Sequence, residues 1–428
     1  MGTTFVRLHP KNKVLGWIED RLPWLSFLSA HTAGYYAPKN FNLWYYFGSL
    51  ALVVLVNQIV TGIFLTMFYK PNAAEAFASV EYIMRDVDWG WLIRYMHSTG
   101  ASLFFVVVYL HMFRGLMYGS YKKPRELIWI IGMLIFLALM AEAFMGYVLP
   151  WGNMSFWGGK VIFNLFGAIP VIGPDLQVFI QGDFIPADAT LNRLYSLHIV
   201  AVPLVLVGLV VAHLIALHEV GSNNPDGIEI KKKKDPNTGI PLDGIGFHPY
   251  YTVKDLVGVS VFLFVFALVI FYAPDGGGYV LERPNFTPAN FMSTPEEITP
   301  AWYFGAYYAM LRATPSFAGT QIWGVLVMGA AVVVLFFVPW LDQSPVKSIR
   351  YKGLLSKLAL AGFAVSYVVL NYLGMHPPTP ERTHAAQLFT AVYFLYFIGL
   401  WAIPWAAARY PAVAKWERLK PEPERVTE

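Results

Sequence analysis

Eight apolar runs of roughly twenty residues constrain this chain more than any other feature. They cover 43–69, 92–118, 126–149, 192–218, 250–272, 320–340, 354–373 and 386–407. About 20 apolar residues of helix are needed to cross a bilayer, and every backbone group inside the segment must be paired. The pattern therefore predicts an all-α, polytopic membrane protein with eight transmembrane helices. Composition agrees, since 14% of residues are charged and 56% hydrophobic, against about 25% charged in soluble domains. With no cysteine, disulfides, iron–sulfur ligation and covalent c-type haem attachment are excluded for this chain. The N-terminal MGTTFVRLHPKNK has no apolar run with a cleavage site, which leaves the signal-anchor role to the first span.

Loop charge predicts the orientation. With alternating spans, 23 of the 31 Lys and Arg fall on one side: the N-terminal arm, 114–125, 219–254, 341–357 and the C-terminal tail. The positive-inside rule places that side, with both termini, in the cytoplasm. The run Lys231 to Lys234 reads as a solvated or lipid-headgroup patch, and the pI near 8.9 requires no nucleic acid. On the opposite, outer side, residues 150–190 and 274–315 are apolar but interrupted by Gly and Pro. Such segments are tolerated where they are buried against protein or line a cavity, and they suggest a lid over a pocket on the periplasmic face.

The chemistry lies in the histidines. His97 and His111 fall on the second span, His198 and His213 on the fourth. Fourteen residues of helix rise about 21 Å and return to nearly the same face; fifteen rise about 22.5 Å and stay on it. Pro203 can adjust the phase of the fourth helix. On parallel helices, His97 can face His198 and His111 can face His213, which suits two six-coordinate haems stacked across the bilayer. A lone membrane histidine more often makes an interhelical hydrogen bond or a proton relay. Zinc fits poorly, because each pair offers two ligands with no carboxylate or Cys nearby.

The same period recurs in glycines: Gly48 and Gly62 on the first helix, Gly132 and Gly146 on the third. Glycine lets a flat macrocycle approach the backbone, although small-residue helix packing is common in membranes. Arg94 and Arg114 lie three residues from His97 and His111. They suit haem propionates, or are arginines snorkelling at helix ends.

The stretches RYMHSTGASLFF (94–105), GSYKKPRE (119–126), AFMGYVLPWGNMSFWG (143–158), LHEVGSNNPDG (217–227), FHPYYTVKDLVG (247–258) and AWYFGAYYAMLRATP (301–315) resemble the cytochrome b subunits of ubiquinol–cytochrome c oxidoreductases. The likeness runs over nearly the whole chain. The unsplit, eight-span form resembles the respiratory type, not the plastid relative divided into two polypeptides. It implies an N-terminal haem-binding four-helix part (1–225) holding two non-covalent b haems and portions of both quinone sites. A C-terminal part (226–428) with four further spans completes those sites. It further implies ubiquinol oxidation at the outer face and quinone reduction at the inner face of a proton-translocating enzyme. The implied partners are a Rieske-type iron–sulfur protein, a c-type cytochrome and a second copy of the chain. His–His ligation leaves no open iron position, so bond-making falls to quinone pockets beside the haems.

For the outer pocket the resemblance nominates Phe144, Tyr147, Gly158, Trp302, Tyr303 and Tyr308; Phe144 and Trp302 can each be read as packing alone. Where the family motif reads Pro-Glu-Trp-Tyr, this chain has Pro300-Ala301-Trp302-Tyr303, so the expected proton-accepting carboxylate is missing. Glu142, inside the third span, is the first candidate to replace it, because an ionisable group there is costly. Glu296 or Glu297 is the rival. For the inner pocket the nominees are His218, Lys254, Asp255 and Ser49. His218 and Asp255 can donate protons to a quinone, or form an ordinary interfacial pair. The 15-residue histidine spacing resembles the plastid relative. Together with Ala301 it points to a bacterial enzyme in the cytoplasmic membrane. A haem-free transporter or channel and a two-haem dehydrogenase anchor are the alternatives; a transporter would favour internal repeats, and the tyrosine-rich outer pocket favours quinol oxidation over an anchor.

Overall fold

The computed structural model describes residues 8–31, 34–317, 320 and 322–402. The end of the last span at 403–407, and the basic tail beyond it, lie outside the described residues. Helices form where the apolar runs lie: α1 (Tyr46–Thr66), α2 (Gly90–Tyr118), α3 (Glu126–Val148), α4 (Asn153–Gly167), α5 (Asp188–Val220), α6 (Tyr250–Tyr272), α7 (Gly305–Ala313), α8 (Ile322–Phe336), α9 (Leu354–Gly374) and α10 (Pro380–Ala402). Seven of the described helices are long and apolar enough to cross a membrane, and α8 is a shorter apolar helix of 15 residues. Strands β1 (Tyr36–Pro38) and β2 (Gly244–Gly246) pair antiparallel.

Proline explains why the 320–340 run does not form one long helix. Pro339 has no N–H to give Leu335 O four residues earlier, and the chain turns separately over Val338–Leu341. The freed carbonyl is not left bare, because the buried Trp129 Nε1 of α3 donates to it at 2.8 Å.

The core forms two regions. One lies between α1–α3 and the α7–α10 helices, where Tyr303 stacks on Phe105 at 4.0 Å. The other gathers Trp151, Phe156, Phe163 and Leu191 under the outer connections. Those connections zip together: Asn153 N donates to Thr287 O, Ala289 N to Trp151 O, and Trp157 Nε1 to Asn290 O. Trp151 is held at φ 57° while only 2% exposed, a left-handed conformation a bulky residue adopts only where its surroundings impose it.

On the other face α2 ends at Gly119, φ 65°. A Cβ there would stand 2.5 Å from Lys347 O, so both the conformation and the close approach require glycine. Nearby, Arg125 donates to both carboxylate oxygens of Glu229 at 2.7 and 2.8 Å, and Lys347 reaches the same carboxylate at 2.5 Å. This ties the α2–α3 turn to the α5–α6 and α8–α9 connections.

Candidate haem and quinone sites

Helix α1 packs along α2, and α3 along α5. Two histidine pairs result: the His97 and His198 ring centres are 6.2 Å apart, and those of His111 and His213 are 6.4 Å apart. Matching of both pairs requires α2 and α5 to run parallel. The extra residue between His198 and His213 is absorbed by a π turn over Leu197–Ala201, around His198 itself and just ahead of Pro203. Fifteen residues at about 100° each overshoot the fourteen-residue phase by one residue, and one wide turn removes that excess.

The glycines face the rings one by one. A Cβ on Gly62 would meet His97 Cε1 at 3.2 Å, on Gly48 His111 Cε1 at 3.2 Å, on Gly132 His213 Cε1 at 3.3 Å, and on Gly146 His198 Cε1 at 2.5 Å. Two ring nitrogens at roughly 2 Å from one metal put the ring centres about 6 Å apart, as both pairs have them. Partners on Nδ1 then decide which nitrogen is free. Thr61 Oγ1 lies 2.9 Å from His97 Nδ1 and donates its own hydrogen bond to Asn57 O. His198 Nδ1 lies 3.0 Å from both the carbonyl and the carboxylate Oε1 of Glu142. One pair therefore does have a carboxylate beside it, contrary to the sequence expectation, on the nitrogen that faces away from its partner histidine's site. Each partner favours Nδ1–H, leaving Nε2 as the ligand atom. Arg114 stands 3.2 Å from His111 Nδ1 and 4.9 Å above the Tyr45 ring. Its Nε is buried without a partner. An arginine can only donate, so ligation through His111 Nε2 moves this contact elsewhere, and the unpaired Nε suits a carboxylate. Arg94 sits one turn from His97 on α2. These residues fit a flat, bis-histidine-ligated haem bearing acidic groups.

At the end carrying α4, Tyr147 lies against Gly158, whose added Cβ would be 3.5 Å from the ring. Asn285 Nδ2 donates to Tyr147 OH at 3.2 Å and to Glu282 Oε2 at 3.1 Å. Phe144 meets Phe163 edge-on at 5.7 Å. Trp302 is pinned by its indole on Ser102 Oγ (3.0 Å) and by Asn371 on its carbonyl (2.7 Å), and Tyr308 OH donates to Ile298 O at 3.1 Å. The Tyr303 carbonyl accepts from Tyr109 OH at 2.6 Å, and burial pushes the Tyr303 hydroxyl up, keeping it a neutral donor. The sequence candidates for the missing carboxylate differ in setting: Glu142 Oε2 is buried without a hydrogen-bond partner on the same helix as Tyr147. Its Oε1 lies on His198, and Glu296 and Glu297 are exposed. The sequence reading overlooked Glu282, because a carboxylate in a Gly- and Pro-rich connection carries no periodic signal of burial. Asn285 escaped notice for the same reason, and Thr61 because a hydroxyl within a span carries no charge to mark it.

At the opposite end His218 Nδ1 lies 2.8 Å from Leu214 O, and its ring sits edge-on to Tyr35 at 4.8 Å. Tyr35 leads through Phe247 to Tyr251, one turn before Asp255, so rings connect His218 to the start of α6. Lys254 Nζ folds back on Tyr250 OH at 2.7 Å. Ser49 Oγ donates to Tyr46 O at 3.0 Å, and Tyr46 packs on Gly258 of α6.

A membrane helix bundle with paired imidazoles in a glycine cradle defines the class, a transmembrane cytochrome. Comparison with known proteins agrees. The family model described as Cytochrome b/b6/petB matches residues 32–221, and Cytochrome b(C-terminal)/b6/petD matches 288–394. Cytochrome b of Allochromatium vinosum is 57% identical over 420 residues, 97% of this chain and 99% of that one. Cytochrome b of Rhodospirillum rubrum is 47% identical, covering 96% of this chain and 95% of its own. A solved chain titled "Hyperthermophilic respiratory Complex III" superposes with a TM-score of 0.84 at 37% identity, over 92% of this chain and all of that one. The chain belongs to the cytochrome b family, the haem-binding membrane subunit of quinol–cytochrome c oxidoreductases.

Proposed function

We propose that the chain holds two b haems, one on His97 and His198 and one on His111 and His213, and carries electrons between quinone sites at opposite membrane faces. The observation carrying this reading is the one-to-one facing of four glycines and four histidine rings in two layers. When bound, the haems supply one-electron transfer without an open coordination position. The protein's own residues orient the rings: Thr61 holds His97, and Glu142 holds His198 as a positioning residue. Arg94 and Arg114 receive the acidic edges.

Ubiquinol is oxidised beside Tyr147, Gly158 and Tyr303, where the two zipped outer connections exclude water, while Phe144, Trp302 and Tyr308 shape the wall. Quinone is reduced near His218 and Asp255, with Lys254 and Ser49 at the same end. The sequence division at 225/226 separates the haem-holding part from the part completing these sites, in line with the two matched family segments. A Rieske-type iron–sulfur protein takes one electron of each quinol at the outer face and passes it to a c-type cytochrome. The assembly is a homodimer in a bacterial cytoplasmic membrane with both termini inside.

An optical redox titration of the purified complex tests the reading. Two b-haem transitions with distinct midpoints are expected, whereas one transition with one haem per chain would defeat it.

A further inference from the structure

Three carboxylates of the described residues are less than a tenth exposed: Glu19, Glu282 and Asp342. Glu19 accepts from Leu25 N and Ser26 N and so caps the Trp24–His31 helix. Asp342 is held by Lys122 and Lys352 at 3.1 and 2.7 Å. Glu282 differs from these two, and from the less buried Glu142, whose Oε2 is also unpaired but whose Oε1 is held by His198. Glu282 is 6% exposed, its Oε2 accepts from Asn285, and its Oε1 is buried with no hydrogen-bond partner. Its titratable neighbours are Tyr147 of α3, whose hydroxyl is close enough to donate to this carboxylate, and Tyr303 of the Trp302–Phe304 turn. A buried carboxylate oxygen left unpaired is costly. That cost is explained if a substrate donor normally meets it.

We propose that Glu282 is a catalytic residue that accepts a proton from quinol at the outer site, replacing the carboxylate absent at Ala301. This rests on the proposed quinol site. In the step, the hydroquinone O–H bond breaks and an O–H bond forms at Glu282 Oε1. The two electrons would go one to the iron–sulfur partner and one to the haem that His97 and His198 would hold, and the second hydroxyl proton to water at the outer face. Asn285 Nδ2 donates to both Glu282 Oε2 and the Tyr147 hydroxyl, which holds the carboxylate beside the outer-site tyrosine. Burial pushes the Glu282 carboxyl up to about 7, where it exchanges protons readily near neutral pH.

The test is quinol–cytochrome c reductase activity of the purified complex across pH, for wild type, Glu282→Gln and Glu282→Asp, with the b-haem spectrum as the assembly control. Glu282→Gln is expected to lower kcat on the order of 100-fold with KM little changed, and to lose the acid limb of the pH profile. Glu282→Asp should recover part of the rate with that limb displaced. A Gln variant with intact haem spectrum, wild-type kcat and unaltered limb overturns the proposal. If the Gln variant does not assemble, an Asp variant whose acid limb is unmoved overturns it. A wild-type complex that does not oxidise quinol would instead bring down the underlying site assignment.

Discussion

Glu142 Oε1 stands 3.0 Å from His198 Nδ1, beside the Glu142 carbonyl at the same distance. A carboxylate on the far nitrogen of a ligating imidazole makes it more electron-donating and favours the oxidised metal. Glu142→Gln keeps the carbonyl contact and removes the charge. The midpoint of one b haem should rise, by about 60 mV for each tenfold loss of that preference, with the other unmoved. Two unchanged midpoints in a redox titration would sink the assignment.

The glycine cradle predicts unequal effects of the same substitution. A methyl at Gly146 would sit 2.5 Å from His198 Cε1, and at Gly132 3.3 Å from His213 Cε1. The first requires the ring or helix to shift, the second only a few tenths of an ångström of give. Gly146→Ala should therefore lose or broaden one b-haem band while Gly132→Ala retains both. Low-temperature difference spectra would reveal the contrast, and equal effects would contradict it.

Acid should loosen the junction at Arg125, Glu229 and Lys347. Burial alone would raise the Glu229 carboxyl, but hydrogen bonds and charges from Arg125 and Lys347 outweigh it and bring it down to about 2. A depressed folded-state value stabilises fully above the unfolded value of 4.5 and is lost as pH falls toward 2. Glu229→Gln should cost about 3–5 kcal/mol at pH 7 and flatten the fall in stability between pH 5 and 3. Thermal loss of haem absorbance at several pH values reads both effects; a fall as steep as wild type would refute the second.

The Trp129 indole on Leu335 O substitutes for the N–H that Pro339 lacks. Trp129→Phe leaves that carbonyl unpaired, at a cost of about 1–3 kcal/mol. Adding Pro339→Ala supplies an N–H four residues on and should recover part of the loss. Thermal unfolding of the two single variants and the double variant would show this coupling, whereas simple additivity would argue against it.

Much of this molecule follows from local pattern. Seven long apolar runs became helices at nearly the expected bounds, because a hydrocarbon environment leaves an apolar run of that length no alternative that pairs its backbone. The histidine and glycine registers were legible for the same reason, since helix geometry converts spacing along the chain directly into depth and face. Even the fifteen-residue spacing was visible as an excess of one, although its location was not. The wide turn falls around His198, a few residues ahead of the proline that the sequence suggested.

Tertiary structure decided what periodicity cannot carry. In sequence, Glu142 and Glu282 are two carboxylates near apolar residues. The fold turns Glu142 onto His198 and buries Glu282 beside Asn285 and Tyr147, while leaving Glu296 and Glu297 at the surface. The outer connections are irregular, so the placement of each side chain depends on contacts between segments more than a hundred residues apart, such as Asn285 with Tyr147. Helix spacing alone therefore determined where the four paired histidine rings stand. Only the packing of distant loops determined which acid is buried beside Tyr147 and Asn285.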